Sequence, residues 1–157
     1  MPVTFRQMGD VDYQGLVELW SGFPGNTMTG ADSREGFASF LRRNGRYCFA
    51  AESGGAIVGS VMAGSDGRRG YVYHLAVAPE LHNGGVGRRL MRMTEERLTE
   101  DGIEKAHLFI YSDNPAIEFY RKVGWHLRED IEVMSKVLIG DKYMGTRLDE
   151  SAQGDRG

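Results

Sequence analysis

The stretch from Val72 to Met93, VYHLAVAPELHNGGVGRRLMRM, holds the residue types whose spacing most suggests chemistry. A strand-like run closes at Val77, a loop passes through Pro79, and Gly84, Gly85 and Gly87 stand where a helix should begin. The first turn of a helix carries N–H groups without helical partners and a partial positive charge, which suits a phosphate. Glycine there removes the Cβ that would hold an anion off the backbone. Arg88, Arg89 and Arg92 follow, with no acidic residue between Glu80 and Glu95. Cations at this end oppose the helix dipole, and a bound anion would remove that conflict. Two familiar phosphate loops match poorly. Gly85-Val86-Gly87-Arg88-Arg89-Leu90 lacks the third glycine of a dinucleotide fingerprint, and the turn after Val77 is too long for one. No Gly-Lys-Ser/Thr follows, so a Walker loop is excluded.

Other reactive side chains are few. Cys48 is the single cysteine and lies between Tyr47 and Phe49 in an apolar run. It reads as a buried, inert thiol, and one cysteine builds neither an internal disulfide nor a thiolate metal site. That usage fits a reducing compartment such as the cytoplasm. Histidines stand at 74, 82, 107 and 126. His74 falls between Tyr73 and Leu75 in the strand before the glycine loop, so strict alternation would turn it away from the face of Tyr71 and Tyr73.

These residues need a scaffold, and its elements are legible. Val3–Gln7 reads as a strand and 12–20 as a helix that Asp10 or Asp12 could cap. Ser21–Asp32 (SGFPGNTMTGAD) reads as a loop, and Ser33–Asn44 as a second helix stopped by Gly45. Tyr47–Glu52 and Ala56–Ala63 form a hairpin across Ser53-Gly54-Gly55. Tyr71–Val77 is the strongest strand signal, and the glycine loop opens a helix running to about Glu100. Ala106–Tyr111 is another strand, and Asn114 and Pro115 stand as N-cap and first residue of a helix ended by Gly124. Trp125–Leu127 and Ile131–Leu138 are expected to close the domain as two strands. The order β-α-α-β-β-β-α-β-α-β-β implies an α+β, or mixed α/β, fold: a mixed sheet flanked by helices.

The 157 residues suit one domain, taken as 1–139, with 140–157 as a flexible tail where apolar content falls. Glycine accounts for 22 residues, about twice the usual ~7%, which places the excess in turns and loops. With 22 acidic and 19 basic residues the formal net charge is −3, against the basic excess of a nucleic-acid coat protein. No stretch approaches the roughly 18 apolar residues that a membrane span needs, and the N-terminus lacks a signal peptide's pattern.

The motifs resemble a known family. Leu75-Ala76-Val77-Ala78-Pro79 followed by His82-Asn83-Gly84-Gly85-Val86-Gly87-Arg88 resembles the acyl-CoA signature, Gln/Arg-x-x-Gly-x-Gly/Ala, of the GNAT superfamily of N-acetyltransferases. Asn114 to Trp125, NPAIEFYRKVGW, resembles that family's second signature. The first motif departs in having His82 where Gln or Arg is usual, and in the second Ala116 sits one place early. The resemblance implies a central, mostly antiparallel mixed sheet and acetyl-CoA as acyl-donor cosubstrate. It implies that Ala76 and Val77 hold the pantetheine arm, with the Val77 N–H as oxyanion donor. It implies that Asn83, Gly84, Gly85, Val86, Gly87 and Arg88, with His82, surround the pyrophosphate, and that Asn114 and Ile117 line the arm.

By the same resemblance Tyr120 is the general acid for the departing thiolate. Tyrosine near pKa 10 and a thiol near 8.5 are close to balanced. The strand positions where the family often carries a Glu or His base hold Tyr71 and Tyr73, leaving Tyr73, acting through water, as the candidate. Glu18, Glu35 and Glu52 are further carboxylates that folding could bring near. With no strong base on the strand, the expected acceptor is an amine of low pKa. A lysine side chain near 10.4 is neutral about one time in a thousand near pH 7.5, whereas an α-amine near 7.7 is close to half neutral. Direct transfer in a ternary complex is expected, since no activated cysteine is evident. The acceptor is a small-molecule or peptide amine, and an exposed sheet edge could support a homodimer. The alternative is an acyl-CoA-binding sensor that has lost catalysis.

Overall fold

A computed structural model describes residues 1–23 and 28–140. The chain runs β1 (Thr4–Gln7), α1 (Tyr13–Ser21), α2 (Arg34–Asn44), β2 (Phe49–Ser53), β3 (Ala56–Ser65), β4 (Gly70–Val77), α3 (Val86–Glu100), β5 (Ala106–Leu108) and α4 (Ile117–Lys122). The strands form one sheet in chain order, antiparallel from β1 to β4 and parallel between β4 and β5. The expected β2–β3 hairpin is present, but its turn is two residues rather than the three expected, because Ser53 pairs with Ala56. Gly54 (φ 58°) and Gly55 (φ 80°) take the left-handed conformation that matches strand twist.

Helices cover both faces. α1 and α2 seal one side with Leu16, Trp20 and Phe37 over Met8, Cys48 and Met62. α3 seals the other with Val86, Leu90 and Met91 over Phe49, Val61 and Val72, and Phe119, Tyr120 and Trp125 pack against this second cluster. Cys48 is fully buried, and desolvation pushes its thiol up to about 12, so it is the inert residue its apolar neighbours imply.

Several expectations are corrected. Asp12 stands at the start of α1 without capping it. Its carboxylate instead takes two hydrogen bonds from Arg6 (both 2.8 Å) and one from the Gly9 N–H (2.7 Å). Pro115 does not open α4. Asn114 Oδ1 accepts the Ala116 N–H at 2.8 Å, forming a side-chain-closed turn, and the helix begins at Ile117. The two closing strands are absent among the described residues: 125–127 and 131–138 are irregular, with Val133, Met134 and Leu138 strongly exposed. A strand pattern needs an edge to pair with, and β5 is three residues long rather than six. Beyond Gly140 the tail lies outside the described residues, as does part of the 21–32 loop.

Candidate active site

β4 is the axis of the site. Only Gly70, Tyr71 and Val72 pair with β5, so from Tyr73 to Val77 that edge has no neighbouring strand among the described residues. Ala78 donates its N–H to the Val58 carbonyl of β3 at 2.8 Å. Peptide groups alternate sides along a strand, so those of Val77 point the other way, into the opening. An unpaired edge of this kind offers backbone groups to an extended ligand.

At the carboxyl end of β4 the chain passes a short 3-10 turn (Pro79–Leu81) and reaches the glycine loop. Asn83 (φ 64°) and Gly85 (φ 86°) are both left-handed and bend the backbone into the mouth of α3. Gly84 gives its N–H to the Leu81 carbonyl (3.2 Å), and Arg89 gives its own to Gly85 (3.0 Å). Between these bonds, the N–H groups of Asn83, Gly85, Val86, Gly87 and Arg88 have no acceptor among the described residues. That is a row of backbone donors at a helix N-terminus, fitted to a phosphate. Gly84, its N–H already used, serves the shape of the loop rather than the donor row. A Cβ on Gly87 would lie 3.3 Å from the Phe119 ring and 3.6 Å from Val77, so glycine lets α4 close against α3 and β4. Of the arginines, Arg89 lies over the Phe5 ring at 4.8 Å, whereas Arg88 stays exposed beside the loop.

His82 does not point along the donor row. Its Nε2 donates to the Val77 carbonyl at 2.7 Å, and its ring faces Phe23 with centroids 6.5 Å apart. Val77 thus keeps its N–H for the opening. Asn114 and the half-buried Ile117 stand where β5 gives way to α4. Tyr120 is half-buried, with Phe119 edge-on at 5.3 Å and Trp125 at 6.3 Å. Its hydroxyl has no hydrogen-bond partner among the described residues and is not sealed from solvent. Burial pushes its phenol up to about 12, so it stays protonated at neutral pH.

The middle of β4 departs from alternation. Ser60 pairs with Ala76 and Met62 with Tyr73, so the single Val61 faces two residues, His74 and Leu75. This β-bulge centres on His74, whose φ of 47° is left-handed, a conformation that a non-glycine residue keeps only when its surroundings enforce it. The consequence is that Tyr73 and His74 face the same helices. The Tyr73 ring meets Phe40 of α2 edge-on at 5.9 Å, and the His74 ring stacks on Trp20 of α1 at 4.0 Å. Strict alternation is therefore the wrong guide to His74. Its Nε2 lies 2.8 Å from Asp32 Oδ1.

Asp32 is the residue that sequence reasoning missed. It comes from the segment between α1 and α2, 42 positions from His74. Burial pushes its carboxyl up, but hydrogen bonds from His74 and the Thr29 N–H outweigh this and leave it below the ordinary carboxylate range. Thr29-x-x-Asp32 is a capping-box spacing, a signal for the local turn but not for its distant partner. The other carboxylates weighed lie elsewhere: Glu52 pairs with Arg6, and Glu18 accepts from Gln14 on α1.

The sequence matches the Acetyltransferase (GNAT) family over residues 13–125, and the chain belongs to that family. An acetyltransferase of Sodalis glossinidius is 36% identical over 93 residues, which span 59% of this chain and 66%, just under two thirds, of that protein. Among solved structures, Ard1 from Thermoplasma volcanium shares the fold with a TM-score of 0.72 at 18% identity, covering 82% of this chain and 85% of that one. The PaiA N-acetyltransferase of Thermoplasma acidophilum, solved in complex with coenzyme A, gives 0.71 at 17% identity, covering 82% of this chain and 92% of its own.

Proposed function

We propose that the protein is an acetyl-CoA-dependent N-acetyltransferase that moves an acetyl group directly to a primary amine, of a small molecule or a peptide, in a ternary complex. The observation that carries this reading is the row of N–H groups at Asn83, Gly85, Val86, Gly87 and Arg88 that have no acceptor among the described residues, at the end of a strand whose edge has no described neighbour from Tyr73 onward. The row suits the pyrophosphate of coenzyme A, and the open edge at Val77 suits its amide-bearing arm, whereas Ala76 pairs with Ser60 and turns its peptide groups toward β3. When bound, acetyl-CoA supplies an activated acyl group and a thiolate leaving group. Coenzyme A in the PaiA relative and the family's activity support the same ligand.

In this reading the Val77 N–H stabilises negative charge on the thioester oxygen, and Asn114 and Ile117 flank the arm. His82, bonded to the Val77 carbonyl, orients that peptide instead of binding the anion. Tyr120 gives its proton to the departing thiolate. A phenol near 12 is a weaker acid than the sequence alone suggests, but the same apolar walls raise a thiol too, so the difference between the two governs the transfer. Tyr73, partly exposed beside the bulge, lines the acceptor side.

A thermal-shift titration with acetyl-CoA, CoA, ATP and NAD tests the cosubstrate. At 100 times its dissociation constant a ligand adds about 2.7 kcal/mol. A rise in Tm with acetyl-CoA, followed by free-thiol release in an amine screen, is the expected outcome. Binding without transfer to any amine would leave the sensor reading, and a larger shift with ATP or NAD would overturn both.

A further inference from the structure

We infer that His74, oriented by Asp32, is the general base that takes the proton from the acceptor amine; the inference rests on the acetyltransferase reading of the site. The neutral imidazole has one N–H and one lone pair, and its surroundings choose which nitrogen carries which. Here Nε2 lies 2.8 Å from a carboxylate oxygen, so Nε2 carries the hydrogen and Nδ1 the lone pair. Nδ1 has no partner among the described residues and is not sealed from solvent.

Every other contact fixes the ring. It stacks on Trp20 with planes 16° apart. Trp20 Nε1 donates to Ser60 Oγ (3.0 Å), and that hydroxyl donates to the His74 carbonyl (2.8 Å), which pins the bulge. Asp32 is fixed in turn by the Thr29 N–H on Oδ2 (2.9 Å) and by the Tyr13 hydroxyl on its carbonyl (2.8 Å). A base bonded on one nitrogen to a carboxylate, with the other nitrogen open, is the arrangement general-base catalysis asks of a histidine. The bulge turns it toward α1, α2 and the 28–33 segment, next to Tyr73. Of the elements packed on it, β3 carries no ionisable group, α1 offers Tyr13, whose hydroxyl is given to the Asp32 carbonyl, and Glu18, which is held by Gln14, and the 28–33 segment offers Asp32.

The proton count closes. His74 Nδ1 accepts a proton from the ammonium form of the acceptor. The freed lone pair forms the N–C bond to the acyl carbon as the C–S bond breaks. Tyr120 protonates the thiolate and recovers a proton from the new amide nitrogen, and His74 releases its proton to water.

Two measurements on the full chain test it. Long-range 1H–15N spectra near pH 8, with His74 assigned by its loss in His74→Gln or its displacement in Asp32→Asn, should show a neutral ring protonated at Nε2. A ring protonated at Nδ1, or one still charged, overturns the assignment. In kinetics, with peptides offering an α-amine or a lysine ε-amine, His74→Gln should lower kcat/KM about 100-fold at pH 7. The deficit should shrink toward pH 10, where solution itself supplies neutral amine, while the acetyl-CoA shift in Tm is kept. Asp32→Asn should show the same trend at about tenfold and decides the matter if His74→Gln does not fold. No loss, or a loss constant with pH, marks the pair as structural. If the wild-type protein neither binds acetyl-CoA nor acetylates either peptide, the enzyme reading fails, and the imidazole spectrum still reports on the pair.

Discussion

The two halves of β4 are organised by different forces. Its carboxyl end leads into a site built from backbone: left-handed Asn83 and Gly85, a row of N–H groups, and glycines at 84, 85 and 87 within a few residues of one another. Its middle is a site built from side chains, where His74, Asp32, Trp20 and Ser60 converge from three elements and a loop onto one strained residue. On the proposed reading the first would bind a ligand feature that does not vary, a phosphate, and needs only local geometry. The second would face what does vary, the acceptor, and depends on a loop held to the sheet by the Asp32–His74 contact. Chemistry common to all substrates can rest on local backbone, whereas selective chemistry rests on long-range contacts.

The largest expected effect tests whether the ends share the chemistry. Tyr120→Phe should lower kcat by about 100-fold or more in steady-state assays. Tm and the acetyl-CoA shift should barely change, because the hydroxyl has no hydrogen bond among the described residues to lose. Next, Ser60→Ala removes the hydroxyl that accepts from Trp20 Nε1 and donates to the His74 carbonyl, a loss of about 2–4 kcal/mol. At roughly 2–4 °C per kcal/mol the fall in Tm is easily read, and acetyl-CoA should still bind. If binding is lost as well, the two ends are one cooperative unit and the contrast fails.

Gly85→Val probes the other end. A β-branched residue at φ 86° adds about 1–3 kcal/mol of strain. It should abolish the acetyl-CoA shift while leaving the His74 imidazole spectrum unchanged. The smallest effect is acid sensitivity. The Asp32 carboxyl is held below its ordinary value, so its contribution to stability is complete above about pH 3.9 and is lost as pH falls through the lowered value. Urea midpoints between pH 6 and pH 2 should show a component that Asp32→Asn lacks.

The elements were legible because each rests on local signals. The period of apolar residues gives α2 and α3, Gly54-Gly55 gives the hairpin, and Gly84, Gly85 and Gly87 after a strand give the donor loop. The amides of Asn83, Gly85, Val86, Gly87 and Arg88 have no acceptor among the described residues. The closing strands were misread because periodicity reports what a segment could pair with, not whether an edge lies within reach. Where His74 points, and that Asp32 meets it, came only from tertiary structure. A bulge arises from the register between β3 and β4, and one inserted residue reverses which face a side chain takes. A contact across 42 positions leaves no local pattern, so sequence by itself determined the backbone site and folding alone decided the side-chain one.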